Sequence, residues 1–140
     1  MREMKVLKPN KNGVEESDYE PDLYIVLEVG RELQLPAYMQ NVKRVRAIKA
    51  LAPHEIPEVA KRLYDLINSR PVNEKLAIVL SGPLALTAMF FAFQSLHRTL
   101  AVGQFNPSKS DYDWYLIEPQ ELRNFFLQSV TSTPSVTLIQ

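Results

Sequence analysis

The sequence contains no cysteine among its 140 residues, which excludes disulfide scaffolds, cysteine-ligated zinc, iron–sulfur clusters and thiol catalysis. Its 4 glycines form neither a Gly-x-Gly-x-x-Gly nor a Gly-x-x-x-x-Gly-Lys pattern, which argues against the dinucleotide and NTP sites built on those motifs. Neither sign of charge is in excess, because 16 Lys and Arg balance 16 Asp and Glu. This balance argues against a duplex-DNA binder that depends on general positive charge, but it is compatible with a local basic patch that holds a small anion.

Long apolar runs are also missing. The longest, residues 83–93, has about half of the roughly 20 residues that a membrane span needs. The first residues are charged and lack the apolar core of a signal peptide, so we expect a cytoplasmic protein without membrane contact. The two histidines, His54 and His97, stand far apart without other ligands at metal spacing, and we expect neither a metal nor a cofactor.

The remaining pattern is that of one α/β or α+β domain. Apolar, β-branched runs predict strands at residues 23–29, 42–51, 75–80, 100–105 and 112–117. Apolar residues at helical spacing predict a first main helix from Ile56 to about Asn68, and residues 84–98 predict a second. A short C-terminal helix is expected to begin near Glu118. We assign residues 1–21 to a flexible arm, or a short strand followed by a loop, residues 22–130 to the domain and residues 131–140 to a tail.

The second predicted helix is apolar almost all round. A helix without a polar face is usually covered on two sides, by a sheet and by another element. In so small a domain a partner subunit is a natural second cover, so we expect a homodimer or a larger homo-oligomer.

The turn between the strand at 75–80 and this helix is the first candidate site. Gly82 allows a ligand to approach the backbone closely, and the helix start beyond Pro83 points its amides at that ligand. Ligands of open α/β sheets lie at this position, outside the carboxyl ends of strands. The same Ser-Gly-Pro sequence is also an ordinary way to enter a helix. The bases at 43–49 are similarly ambiguous, because they fit either a solvated strand face or an edge that faces phosphate.

A resemblance narrows these alternatives. Residues 75–115 contain the run Leu-Ala-Ile-Val-Leu-Ser-Gly-Pro-Leu-Ala-Leu-Thr-Ala and then Leu-Ala-Val-Gly-Gln-Phe-Asn-Pro. This segment resembles the last strand–helix–strand unit of SAVED and CARF-type domains, which sense cyclic oligonucleotides in antiviral defence, and of small CRISPR-associated relatives, some of which are ring nucleases. The resemblance implies a single α/β domain with a mostly parallel or mixed sheet that is CARF-like, with a ferredoxin-like sheet as the alternative.

The resemblance also implies roles for particular residues. Ser81, Gly82 and Pro83 would lie beside the sugar-phosphate ring, with Thr87 one helical turn further on. The Asn106 amide would bind an adenine edge, and Lys109 or Lys49 would face phosphates. Cyclic oligoadenylates are nearly symmetric, so the ligand would lie across a dimer interface.

Cleavage of the ring would require a donor for the developing charge, a role for which His97 and Arg98 are the candidates. The turn that usually reads Tyr-Asp-Pro-Arg in the small ring nucleases reads Phe105-Asn106-Pro107-Ser108 here. The missing acid and arginine argue against metal-dependent or acid-assisted cleavage, so a ring nuclease of this sequence is expected to be metal-independent.

We therefore expect a receptor for a cyclic oligoadenylate in CRISPR or related defence, acting as a sensor alone or also as a ring nuclease. The alternative is a non-enzymatic assembly subunit that uses its apolar helix for protein contacts. A hydrolase built around Ser81 is a third hypothesis, but no histidine stands at a supporting position.

Overall fold

The computed structural model describes residues 4–10, 13–30, 32–47, 53–80, 85, 88, 89, 92 and 97–118. Its strands are β1 (Met4–Asn10), β2 (Gly13–Tyr19), β3 (Leu23–Val29), β4 (Val42–Ala47), β5 (Leu76–Leu80), β6 (Leu100–Asn106) and β7 (Asp111–Ile117). A short 3-10 turn (Pro53–Glu55) leads into helix α1 (Ile56–Ser69). None of the helical residues described belongs to a helix long and apolar enough to cross a membrane.

The strands form one mixed 7-stranded sheet in the order β2-β1-β7-β6-β5-β3-β4. Strands β4, β3, β5 and β6 are parallel neighbours, β7 is antiparallel to β6, and β1 joins β7 in parallel. The α/β class and the mixed sheet are confirmed. The strands predicted at 23–29, 75–80, 100–105 and 112–117 are each found within one residue of their expected bounds.

Strands β3 and β5 form the centre of the sheet because every residue in both is buried. Their side chains alternate between two apolar clusters, one on each face. Ile25 and Ile78 contribute to the cluster beneath α1, whereas Val26 and Val79 contribute to the opposite one. A strand that is covered on both faces has no polar alternation, and apart from Glu28 both runs are hydrophobic throughout.

Helix α1 covers one face of the sheet, as its periodicity predicts. Its buried residues recur three or four positions apart and are Ile56, Val59, Ala60, Leu63 and Ile67. Pro57 stands in the first turn, where its missing N–H removes no helical hydrogen bond. The helix ends at Ser69 because Arg70 adopts an extended conformation and its N–H donates to the Ile67 carbonyl.

The prediction of two main helices is not matched, because α1 is the only helix that the described residues contain in full. Of residues 84–98, the positions described as helical are Ala85, Ala88, Met89 and Ala92, all buried in the cluster that α1 also contacts. The predicted helix was also too long, since His97 and Arg98 are not helical and lead directly into β6 at Leu100. The short C-terminal helix and the tail lie outside the described residues.

The N-terminal segment contains two strands, whereas the sequence suggested a flexible arm or one short strand followed by a loop. Strands β1 and β2 form an antiparallel hairpin, and β1 adds to the sheet beside β7. Met4 and Val6 are buried, and the Tyr19 hydroxyl donates to the Leu76 carbonyl at 2.9 Å. Burial raises the pKa of Tyr19 to about 12. The acidic residues of β2 lie on an exposed edge strand, where charges discourage edge-to-edge association.

Among the residues that the structure describes, those that cover the second face of the sheet are not helical. Residues 32–41, which follow β3, contribute Met39 to the apolar cluster on this face, with Leu33, Leu35 and Tyr38 packed around it. Beneath them the aromatic rings of Tyr24 and Trp114 meet edge to face at 6.0 Å. The chain between β3 and β4 therefore serves as the cover for this face.

Candidate functional site

The strand order defines one position where a ligand is expected to bind. After β3 the chain moves outward to β4, whereas after β5 it moves in the opposite direction to β6. The carboxyl ends of β3 and β5 are neighbours, so the connections diverge between Val29 and Leu80. Open α/β sheets bind ligands in the crevice at such a switch point. We call this side of the sheet, where β3, β4, β5 and β6 end, the carboxyl edge.

Most of the predicted ligand-binding residues follow strands that end at the carboxyl edge. Ser81, Gly82 and Pro83 come directly after β5, and Lys49 comes shortly after β4. These four residues and Thr87 lie outside the described residues, so their predicted roles stay predictions. Asn106 is the last residue of β6, and Lys109 belongs to the turn that follows it. The topology therefore assigns Asn106 and Lys109 to the expected edge.

The side chain of Asn106 is engaged within the turn between β6 and β7. Its Nδ2 donates to Oδ2 of Asp113 at 2.9 Å, and its Oδ1 accepts the Ser108 N–H at 3.0 Å. Ser110 completes this turn with a positive φ of 48°. An adenine edge would have to share the amide with these contacts, so the Asn106 side chain acts first as a turn-forming group.

Lys109 is anchored within the same turn. Its Nζ lies 2.5 Å from Oδ1 of Asp113, and this ion pair raises the pKa of Lys109. The hydrogen bonds from Lys109 and Asn106 lower the pKa of Asp113. More than half of the Lys109 side chain is exposed, at 55%, so its ammonium group can also face an anion in solvent.

His97 and Arg98, the two proposed catalytic residues, precede the first residue of β6. They therefore lie at the end of the strands opposite to the carboxyl edge. The His97 side chain is exposed there. The Arg98 guanidinium donates to 4 backbone carbonyls, those of Ile67, Arg70, Pro71 and Glu74. Arg98 thus caps the end of α1 and ties it to the chain that enters β5.

Residues at opposite ends of one strand cannot act on the same phosphate. Strand β6, which separates the two pairs of residues, has 7 residues, which corresponds to a length of about 23 Å at the usual rise per residue. The structure therefore does not bring His97 and Arg98 together with Asn106 and Lys109.

Sequence reasoning missed the buried carboxylate of Glu28, near the end of β3. Glu28 is fully buried, and its hydrophobic neighbours in sequence gave no sign of partners on β4. Its Oε2 accepts hydrogen bonds from the Leu33 N–H at 2.6 Å and from Arg44 Nη1 at 2.9 Å. Its Oε1 accepts one from Arg46 Nε at 2.8 Å. A lone acid in an apolar strand, parallel to a strand with alternating arginines, is the signal that could have identified this cluster.

The partners of Glu28 determine its charge. Burial opposes ionisation, but the Leu33 amide and the guanidinium groups of Arg46 and Arg44 outweigh it and lower the pKa of Glu28. The outer side of Arg46 is held by Glu32, which accepts from Nη2 at 2.8 Å. Arg44 and Arg46 are thus partly exposed, and the buried carboxylate of Glu28 fixes their orientation. The sequence left them open as part of either a solvated strand face or an edge that faces phosphate.

The aromatic residues of β6 and β7 divide into core and surface. Tyr112 and Trp114 are buried. Phe105 is 46% exposed and packs edge to face on Tyr112 at 5.5 Å. The Tyr38 hydroxyl donates to Asp111 at 3.0 Å and joins residues 32–41 to the turn at the carboxyl edge.

Within the described ranges, no three histidine or acidic side chains are grouped as a metal site would require. The carboxyl edge offers guanidinium and ammonium cations, amides and one exposed ring, which suit an anionic ligand with an aromatic base. The carboxylates of Glu32 and Asp113 already pair with two of these cations, so such a ligand would compete with them. Comparisons of the sequence with protein-family models and with curated proteins found no match.

Proposed function

We propose that the chain is a cytoplasmic receptor that binds a cyclic oligoadenylate at the carboxyl edge, as a sensor in CRISPR or related antiviral defence. One observation carries the proposal: the strand preceding Ser81–Pro83 and the strand ending at Asn106 reach the same edge, beside a topological switch point. The SAVED and CARF resemblance supplies the ligand class. Exposed cationic groups at this edge supply charge for its phosphates.

The proposed ligand is nearly symmetric, so a second copy of the chain is proposed to complete the site. A homodimer would place two carboxyl edges around one ring. Light scattering with and without ligand measures the stoichiometry, for which one ring per two chains is expected. One ring per single chain would contradict the dimeric arrangement but not the binding.

The first test is thermal unfolding with cyclic oligoadenylates of several ring sizes and with cyclic dinucleotides. A ligand at a concentration 100 times its dissociation constant stabilises its receptor by about 2.7 kcal/mol. We expect a clear increase in Tm with one ring size. No increase with any member of the panel would overturn the proposal.

Two lysines provide a matched pair of variants. Lys109 and Lys61 each form an ion pair with an aspartate four residues later, but Lys61 lies on α1. Lys109→Ala is expected to reduce the ligand-induced increase in Tm, whereas Lys61→Ala is expected to leave it unchanged. Equal effects of the two variants would indicate a general charge effect instead of a site at the carboxyl edge.

Ring cleavage is a separate part of the hypothesis. Product analysis of a bound ring would reveal linear oligoadenylates if the chain is a metal-independent ring nuclease. The distance between His97 and the carboxyl edge argues for a sensor. Turnover that disappears in His97→Ala without a change in Tm would instead support catalysis by this residue.

The second candidate function is an assembly subunit that contacts other proteins. Its support is the exposure of Phe105, at 46%, and of Tyr115, at 36%, on strands β6 and β7. An assembly subunit would show no ligand-induced stabilisation with the panel.

A further inference from the structure

The buried Glu28 cluster is not explained by stability alone. Isolating a carboxylate from water is costly, and replacing a buried ion pair with apolar residues is often neutral or stabilising. Yet Glu28 is fully buried within an otherwise apolar strand, with one amide and two guanidinium groups around it. What this arrangement does achieve is to fix the orientation of Arg44 and Arg46 at the carboxyl edge.

The two guanidinium groups still reach solvent. The side chain of Arg44 is 33% exposed and that of Arg46 is 46% exposed, whereas the carboxylate between them is inaccessible. Each guanidinium carries five N–H donors. Glu28 accepts from one nitrogen of each, so both planes keep donors that point away from the buried carboxylate.

One exposed carboxylate occupies part of this outer surface. Glu32 is 65% exposed and accepts from Arg46 Nη2, while Glu28 holds Nε of the same guanidinium. A carboxylate oxygen that accepts from one guanidinium nitrogen holds a position that a phosphate oxygen could also take. Glu32 also stands at the start of residues 32–41, beside the switch point.

We propose that Arg44 and Arg46 form a binding site for the phosphate of a small phosphate ester or diester, and that Glu32 is displaced from Arg46 when this anion binds. Glu28 is a positioning residue, because it fixes both guanidinium groups and does not itself reach the anion. Arg62 of α1 donates to the Arg46 carbonyl and so anchors the backbone of this strand from the other face of the sheet. The inference rests on the proposed function for the identity of the whole ligand, but the anion site is testable without that ligand.

The test uses inorganic pyrophosphate as the probe and the side-chain Nε resonances of arginine in NMR spectra as the readout. In the wild-type chain the resonances of Arg44 and Arg46 are expected to shift in a saturable way. Chloride at equal ionic strength should not reproduce the shift. A linear, non-saturable response, or no response at these two arginines, would overturn the proposal.

Three variants make the test specific. Arg44→Gln should weaken pyrophosphate binding by about tenfold or more, because a charged hydrogen-bond donor is lost. Glu32→Gln should tighten it roughly two- to fivefold, since a competing surface ion pair is removed. Arg70→Gln is the matched control, because Arg70 also pairs with a carboxylate but lies at the opposite end of the sheet. The gain expected from Glu32→Gln cannot arise from misfolding, and its absence would contradict the displacement of Glu32.

A parallel titration with the cyclic oligoadenylate panel separates this inference from the proposed function. Pyrophosphate binding at Arg44 and Arg46 without binding of any ring would support the anion site and overturn the cyclic-nucleotide receptor. A ring that binds Arg44→Gln as tightly as the wild type would support the receptor and overturn the role of Arg44.

Discussion

The indole of Trp114 lies directly over the backbone of Gly103, its antiparallel partner in the neighbouring strand. A Cβ on Gly103 would come within 2.6 Å of Cζ3 of Trp114, and two further ring atoms would lie within 2.8 Å. The ring is buried and contacts Tyr24 and Tyr112 as well, so it has little freedom to move. Trp114 can therefore pack against the second face of the sheet because Gly103 has no side chain.

Gly103→Ala is expected to destabilise the fold by about 1–3 kcal/mol, the usual cost of overpacking a core. Urea unfolding followed by tryptophan fluorescence measures this change. Gln104→Ala in the same strand is the control, because Gln104 is exposed and its substitution should alter stability by no more than about 0.5 kcal/mol. A Gly103→Ala variant as stable as the control would show that the ring relaxes away from the strand.

Continuous apolar runs made the central strands predictable from sequence. Strands β3 and β5 have no competing interpretation, since a short β-branched run bounded by turn residues favours a buried strand. The β1–β2 hairpin was obscured because the acidic residues of β2 resemble those of a solvated segment. A hairpin and a solvated segment differ here only in the contacts that bury Val6 and Tyr19. The residues that make these contacts, on β7 and at Leu76, are distant in sequence.

The same limit applies to the site. Helix and strand order sufficed to predict a carboxyl edge near Ser81, but the partners of Glu28 and Arg98 depend on which strands become neighbours. Glu28 lies 16 residues from Arg44, and Arg98 lies 31 residues from the Ile67 carbonyl that it contacts. Local sequence patterns contain no information on contacts of this range, so the role of Arg98 as a helix cap could not be foreseen.

Arg98→Ala is expected to lower the free energy of unfolding by about 2–3 kcal/mol, since several charged hydrogen bonds to backbone carbonyls are lost together. The carbonyls of Arg70 and Glu74 would then lose the donors that Arg98 supplies. His97→Ala is the control, because this neighbouring side chain is exposed and its loss should leave stability unchanged. Urea unfolding of both variants measures the difference. Equal stabilities would contradict the capping role of Arg98.

Glu28→Gln is expected to destabilise the fold by about 1–3 kcal/mol at about pH 7, because the charge that Arg44 and Arg46 share is removed. Since the folded-state pKa of Glu28 is lowered from its ordinary value of 4.5, ionised Glu28 stabilises the fold above that value. This contribution is lost as the pH falls through the lowered folded pKa. The difference between variant and wild type should therefore shrink in acid.

Unfolding in urea at several pH values checks the Glu28 prediction. Glu74→Gln serves as a comparison, because the pKa of Glu74 is also lowered, chiefly by its hydrogen bond with Arg70, at a partly exposed position. Glu74→Gln should show a smaller effect with the same direction of pH dependence. A Glu28→Gln effect that is constant with pH would mean that the carboxylate acts through packing alone.

Asn106→Asp is expected to destabilise the turn between β6 and β7 at about pH 7 by about 1 kcal/mol. The substitution keeps an acceptor for the Ser108 N–H, but it replaces the donor to Asp113 with a second carboxylate. Like charges that face each other across two strands repel, and protonation of either one in acid restores a donor, so the loss should decrease as the pH falls. Asn106→Ala removes the same contacts without adding charge, so its loss of stability should not decrease as the pH falls. Urea unfolding of the two variants across pH distinguishes them, and parallel pH profiles would show that the Asn106 amide does not donate to Asp113 in solution.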